Sequence, residues 1–167
     1  MGSISNYVSK FVGGTIGFKI EERMTGKHHF TEISDMDGTH PMSFTAEWGP
    51  RSIKKWMDPS EEDFLTHPMV GTVSVGGLCL DEEFSGEMQL RYFENASIRY
   101  EFDFEVDGTS YHYRGEKTDI RPWNLHRTHT TLKGEIIEVE SRTVISRSTL
   151  HFRLSSLPSM LLSFRLI

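Results

Sequence analysis

One cysteine, Cys79, stands alone in 167 residues, so no disulfide can form within the chain. That fits a reducing compartment. Nowhere do about 18 apolar residues run together, which excludes a membrane-spanning helix. Basic residues are too few: 18 Lys and Arg face 24 Asp and Glu, for a formal charge of −6. A nucleic-acid partner needs a basic face, so none is expected, and a polybasic membrane contact is disfavoured too. Residues 1–10 lack the basic start and apolar core of a signal peptide. Asn6 stands where a myristoylation motif needs Ser or Thr. The expectation is a cytoplasmic, globular chain forming one domain over 1–167, long enough to bury a core without staples.

Chemical signatures are missing as well. There is no HExxH helix, no paired CxxC, no GxSxG elbow, and Gly13, Gly14 and Gly17 make neither GxGxxG nor a P-loop. No cofactor is expected. Eight histidines raise the question of a metal. His28 and His29 are neighbours, and His126 and His129 are three apart, so on a strand each pair splits between opposite faces. No metal site is expected, although a loop could bring His126 and His129 together. Cys79 follows a Gly-Gly turn opposite Ser74 rather than a base, and reads as a packed thiol.

What the chain does have is a hairpin with its register written out. Ile98, Tyr100, Phe102, Phe104 and Val106 alternate with Arg99, Glu101, Asp103 and Glu105, the period of a half-buried strand. Asp107-Gly108 then supplies the favoured type I′ turn. Folding there sets Phe104 opposite Tyr111 and Phe102 opposite Tyr113. On the other face Glu101 meets Arg114, Arg99 meets Glu116 and Asp103 meets His112.

The same alternation runs through Ile16-Phe18-Ile20, then Met42-Phe44-Ala46-Trp48, and Val70 to Val75 before a Gly76-Gly77 turn. It continues through Phe84-Gly86-Met88-Leu90-Tyr92, residues 128–137, residues 143–154 and Leu162-Phe164-Leu166. Gly26 suggests a bulge or bend in the first strand. Helical spacing is confined to Ile4, Tyr7, Val8, Phe11 and Val12, read as a helix over 1–12 capping one end, and to 50–67, read as a connector or lid. There Asp58 reads as a cap with Pro59 and Glu61 behind it. The expected fold is all-β: an antiparallel up-and-down barrel of roughly nine strands with a short N-terminal helix. A two-sheet β-sandwich is the alternative.

Strict alternation points Glu22 and Glu82 at the apolar face. Each is either a buried acid or a local failure of strand geometry, and the second is the simpler reading. Tyr100, Phe102, Phe104, Tyr111 and Tyr113 converge with Phe84, Met88, Leu90 and Phe152 on the barrel interior. Arg121, Trp123, Asn124 and His126 stand at its mouth. These make either an ordinary core or the lining of a cavity for one small apolar molecule, with tyrosine hydroxyls as its polar contacts. An enzyme reading, an isomerase or hydrolase, pairs Glu22 or Glu82 with Tyr113 or His126.

The chain resembles the lipocalin-like (calycin-type) β-barrel modules attached to bacterial GMC-type, cholesterol-oxidase-like oxidoreductases. Matching elements are Glu22-Arg23-Met24-Thr25-Gly26, Gly71-Thr72-Val73, the strand from Tyr100 to Phe104, Gly108, Tyr111, Tyr113, Gly115 and Glu116-Lys117. Trp123, the segment 128–132, Leu157-Pro158 and Ser163-Phe164 follow in order. The resemblance implies a barrel that binds an apolar, lipid- or sterol-like molecule, or serves as an accessory beside an oxidoreductase partner. It carries over no catalytic residue, and the chain has no flavin-binding fingerprint.

Overall fold

Eight strands close into one antiparallel up-and-down barrel, and a ninth lies outside it. The computed structural model describes residues 6, 8–10, 12–31, 38–121, 123 and 130–167, and of Leu154 and Leu157 the backbone alone. The strands are β1 (Phe18–Phe30), β2 (His40–Trp48), β3 (Thr66–Val75), β4 (Cys79–Arg91), β5 (Ser97–Val106), β6 (Thr109–Lys117), β7 (Thr131–Glu138), β8 (Thr143–Phe152) and β9 (Arg165–Leu166). Each strand from β1 to β7 pairs with the next, and β1 pairs back onto β8 from Met24↔Phe152 to Phe30↔Ser146. That seam leaves no raw edge, the problem every open sheet must solve. A closed up-and-down barrel is the architecture that the lipocalin-like resemblance implies, and the sandwich alternative falls.

The central hairpin has the expected register: Phe104↔Tyr111, Phe102↔Tyr113, Glu101↔Arg114, Arg99↔Glu116 and Asp103↔His112. Asp107 and Gly108 both have positive φ, 49° and 83°, as a type I′ turn requires. His112 Nδ1 lies 2.7 Å from Asp103 Oδ1. Arg114 instead reaches over to the next strand and donates to Glu135 at 2.8 Å.

Period two also decides the interior. Ile20, Glu22, Met24 and His28 on β1, and Met42, Phe44 and Ala46 on β2, are buried while the residues between them are more exposed. Several local expectations need correction. Gly26 is neither bulge nor bend. It pairs with both Met42 and Leu150, and a Cβ there would stand 2.1 Å from the Thr149 carbonyl oxygen. The β3–β4 turn has three residues, 76–78, and Cys79 pairs with Val75 rather than Ser74. A register shift follows, and Ser74 Oγ accepts from the Asp81 amide at 2.9 Å. Tyr92 leaves the strand for a short helix, Tyr92–Asn95. β7 begins only at Thr131.

The helical connector spans Ile53–Trp56 and is capped by Ser52, not Asp58. Asp58 Oδ1 instead accepts from the Ser60 amide and hydroxyl at 2.9 and 2.7 Å, closing a tight turn. Residues 157–163 form a helix, which takes Leu162 out of the expected strand Leu162-Phe164-Leu166. Proline sits in its first turn, where its missing N–H costs nothing. Only Arg165–Leu166 pairs as a strand, against Phe18 and Lys19. Near the start, residues 6, 8–10 and 12 are helical, with Val8 and Val12 exposed. Ile4, Tyr7 and Phe11 of the expected capping stripe lie outside the described residues.

The connections give the barrel two unlike ends. The turns at 76–78, 107–108 and 139–142 lie at one, the turn end. The short helices 53–56 and 92–95 join strands at the other, the helix end.

Candidate functional site: the helix end of the barrel

The middle of the barrel is filled with rings. Phe84 stacks on Phe102 at 4.0 Å, Phe102 stacks on Tyr113 at 4.7 Å, and Phe44 meets Phe102 edge-on at 5.4 Å. Glycine makes room for them: a Cβ at Gly134 would stand 2.4 Å from the Tyr113 hydroxyl. Met88, Tyr100, Phe102, Phe104 and Tyr113 all belong to this buried cluster, while Tyr111 and Phe152 pack half-buried at its margins. The structure therefore brings together the aromatic residues expected to share one face. Arg121 and Trp123 are exposed, with the guanidinium 5.8 Å from the indole ring and bonded to Asp119 at 3.0 Å. Asn124 and His126 lie outside the described residues.

Polar groups occur as separate sets within this apolar interior. At the turn end, His28 Nε2 lies 2.8 Å from the Gly76 carbonyl oxygen and Nδ1 lies 2.7 Å from Ser146 Oγ. A carbonyl only accepts, so Nε2 carries the hydrogen and Nδ1 accepts from the serine. Burial holds this imidazole below its ordinary pKa, so it stays neutral and fully paired.

Nearer the helix end, Glu22 is buried, against the simpler reading of its alternation. Lys117 Nζ donates to Oε1 and the Tyr100 hydroxyl to Oε2, both at 3.1 Å. The same ammonium lies 5.0 Å from the centre of the Tyr100 ring. Burial first, and then the Glu22 charge, push the Tyr100 phenol well above its usual range, so it remains a donor. Glu82 is different: it pairs with Val73 beside the register shift and is only half-buried.

The third set is His67, Trp48 and Trp56. Trp48 ends the inward face of β2, His67 opens that of β3, and Trp56 closes the short helix between them. Trp48 stacks on His67 at 4.9 Å, and Trp56 meets it at 5.7 Å and 64°. Both imidazole nitrogens and both indole Nε1 atoms are buried without a protein hydrogen-bond partner. Burial lowers the His67 pKa to about 4, so at neutral pH the ring offers one donor and one acceptor. Four unpaired nitrogens in three touching rings are rare, because buried polar groups almost always find partners. A cleft of about 350 Å³ opens beside them, lined among others by Pro50, Lys55, Trp56, Asp63, Thr66 and His67. A larger groove of about 970 Å³ runs over the outer wall of β3–β6, but Glu83, Ser85, Asp103 and Glu105 line it, away from the polar interior.

Comparison with family models, curated proteins and solved structures finds no match to this chain. The role of the site has to follow from its own geometry.

Register shows how close the two helix-end sets lie. Met88 pairs with His67 on one side and with Tyr100 on the other. The Glu22 cluster and the His67 cluster are thus separated by one interior residue along the barrel wall. His67 and Lys117 were both missed from sequence, yet each carried a signal. His67 leads the period-two series Met69, Gly71, Val73, and Lys117 ends the series Tyr111, Tyr113, Gly115. Glu22 and Lys117 are the only Asp, Glu, Lys or Arg residues on the inward faces of β1 and β6, and of opposite sign, a pattern that points to a buried pair.

Proposed function

We propose that this barrel binds a small, largely apolar, lipid- or sterol-like molecule without transforming it, and that the polar contacts come from Trp48, Trp56 and His67. The observation that carries this reading is the set of four buried nitrogens without protein partners. Leaving such a group unpaired costs about 1–3 kcal/mol, and a ligand oxygen relieves that cost. The surrounding rings supply the apolar contact area that a small-molecule site needs. A binding role is favoured over catalysis by the state of the acid. Both Glu22 oxygens are already engaged by Lys117 and Tyr100, so the one buried carboxylate among the described residues is not poised as a base. The Cys79 thiol lies at the turn end, raised in pKa by burial and so poorly nucleophilic.

The resemblance to modules of GMC-type oxidoreductases supports an accessory setting, in which the barrel holds an apolar molecule beside a flavoenzyme partner. A second reading, an interaction module with a filled core, draws on the stacked rings across the middle of the barrel. Native mass spectrometry of the purified protein, followed by organic extraction, separates the two. A retained apolar molecule, or quenching of tryptophan fluorescence by added sterols or long-chain alcohols, is the expected result. No retained mass and no response to any of them leaves the interaction module.

A further inference from the structure

We infer that the molecule bound at the helix end is uncharged and presents a carbonyl or hydroxyl oxygen, so that ketones and alcohols are taken in preference to carboxylates. This rests on the binding role proposed above and narrows its ligand class.

The donor inventory gives the first half of the inference. Each indole offers one N–H and no acceptor, and a neutral imidazole offers one donor and one acceptor. The His67 cluster therefore holds three donors and one acceptor, all unpaired within the protein. An oxygen with two lone pairs takes two of those donors, and a hydroxyl also uses the acceptor. A hydrocarbon leaves every nitrogen unpaired, and a cation finds a single acceptor.

Charge gives the second half. Lys117 is the only buried lysine or arginine among the described residues, and Glu22 the only buried carboxylate. They lie 3.1 Å apart, so the interior cation is already neutralised. Through Met88, Tyr100, whose hydroxyl donates to Glu22, stands one interior residue from His67. An incoming carboxylate finds no unpaired cation there to receive it, in surroundings that penalise an uncompensated charge. Around the cleft, Arg51 and Lys55 are matched in number by Asp63 and Glu87, so its formal charges cancel.

The test uses four molecules of similar chain length: decanol, methyl nonyl ketone, decane and decanoate. Each is titrated into the whole protein at neutral pH, with tryptophan fluorescence and calorimetry as readouts. The alcohol and ketone are expected to bind roughly tenfold more tightly than decane or decanoate, since a site built to pair a polar group rejects what lacks it. Glu22→Gln frees the Lys117 ammonium and should raise decanoate affinity several-fold while leaving the ketone unchanged. Trp48→Phe should weaken the ketone several-fold and leave decane unchanged. If Glu22→Gln loses its β circular-dichroism signature, the Trp48→Phe comparison decides alone. Decanoate binding as tightly as the ketone overturns the selection for neutral ligands, while the binding role stands. Decane binding as tightly as the ketone overturns the part assigned to the unpaired nitrogens. No binding of any of the four overturns the binding role itself.

Discussion

His67 shows what a single buried imidazole does to acid tolerance. Its folded pKa of about 4 lies below the ordinary 6.5 because burial penalises the charged ring. As pH falls below 6.5 the unfolded chain takes up a proton that the folded chain refuses, so stability declines until pH nears 4. Below that the contribution is constant. The full loss is about 3 kcal/mol at most. His28, held low for the same reason, adds to the decline in the same direction. Glu47 acts in a lower window, because Lys19 and Arg165 hold its carboxyl below the usual range and its stabilisation goes only on further acidification. Urea unfolding at neutral and mildly acidic pH should therefore show a smaller acid loss in His67→Phe than in the parent. An unchanged loss places the proton uptake elsewhere.

The Glu22–Lys117 pair makes a second prediction at the same scale. Lys117→Met leaves a buried carboxylate with only the Tyr100 hydroxyl, and removing one partner of a buried pair costs about 3–5 kcal/mol. Replacing both, with Glu22→Leu added, removes the charges together. The Tyr100 hydroxyl then loses its acceptor, a cost of about 1–3 kcal/mol. Denaturant unfolding should find the double variant more stable than Lys117→Met alone. Equal or lower stability of the double variant means that the pair stabilises the fold in its own right.

Among the elements, the β5–β6 hairpin was legible residue by residue because three constraints agree there. Alternation chooses the face, Asp107-Gly108 chooses the turn, and cross-strand charge chooses the register. Gly108 at φ 83° has nothing within 4 Å of an added Cβ. Gly108→Ala should thus cost only its backbone strain, about 1 kcal/mol, seen as a lower urea midpoint with an unchanged slope. A much larger loss, or a changed slope, means the turn controls more than itself. Elements went astray where apolar spacing was the only constraint. Leu162, Phe164 and Leu166 alternate as a strand, but Pro158 fits the first turn of a helix and leaves Leu162 86% exposed. The β3–β4 turn failed by one residue, since Leu78 joins the turn and Asp81 takes up φ 52° beside the shifted register. The aromatic lining was legible from alternation, whereas the unpaired nitrogens were not. They depend on which rings meet across β2, β3 and the connecting helix, which no local pattern encodes.

At the scale of the whole molecule, closure makes β1 unlike any other strand. It pairs with β2 along one edge and with β8 along the other. The Met24–Phe30 stretch opposite β8 should then open no more readily than the β5–β6 hairpin, since parting the seam exposes two edges at once. Native-state hydrogen exchange measures this directly. Amides of β1 and β8 are expected to exchange at the rate of the slowest class, and an early loss of protection there makes the seam the weak line of the barrel.

That seam also sets the order of events during synthesis. Residues 24–30 leave the ribosome well before their second partner, which spans residues 146–152. Until β8 has been translated, the growing chain is an unclosed sheet with β1 at one margin, offering bare amide and carbonyl groups to any strand nearby. Loop closure over so long a separation is slow. The nascent chain is therefore at its most adhesive just before β8 emerges, and a folding helper acts to most effect by shielding β1 until β8 arrives.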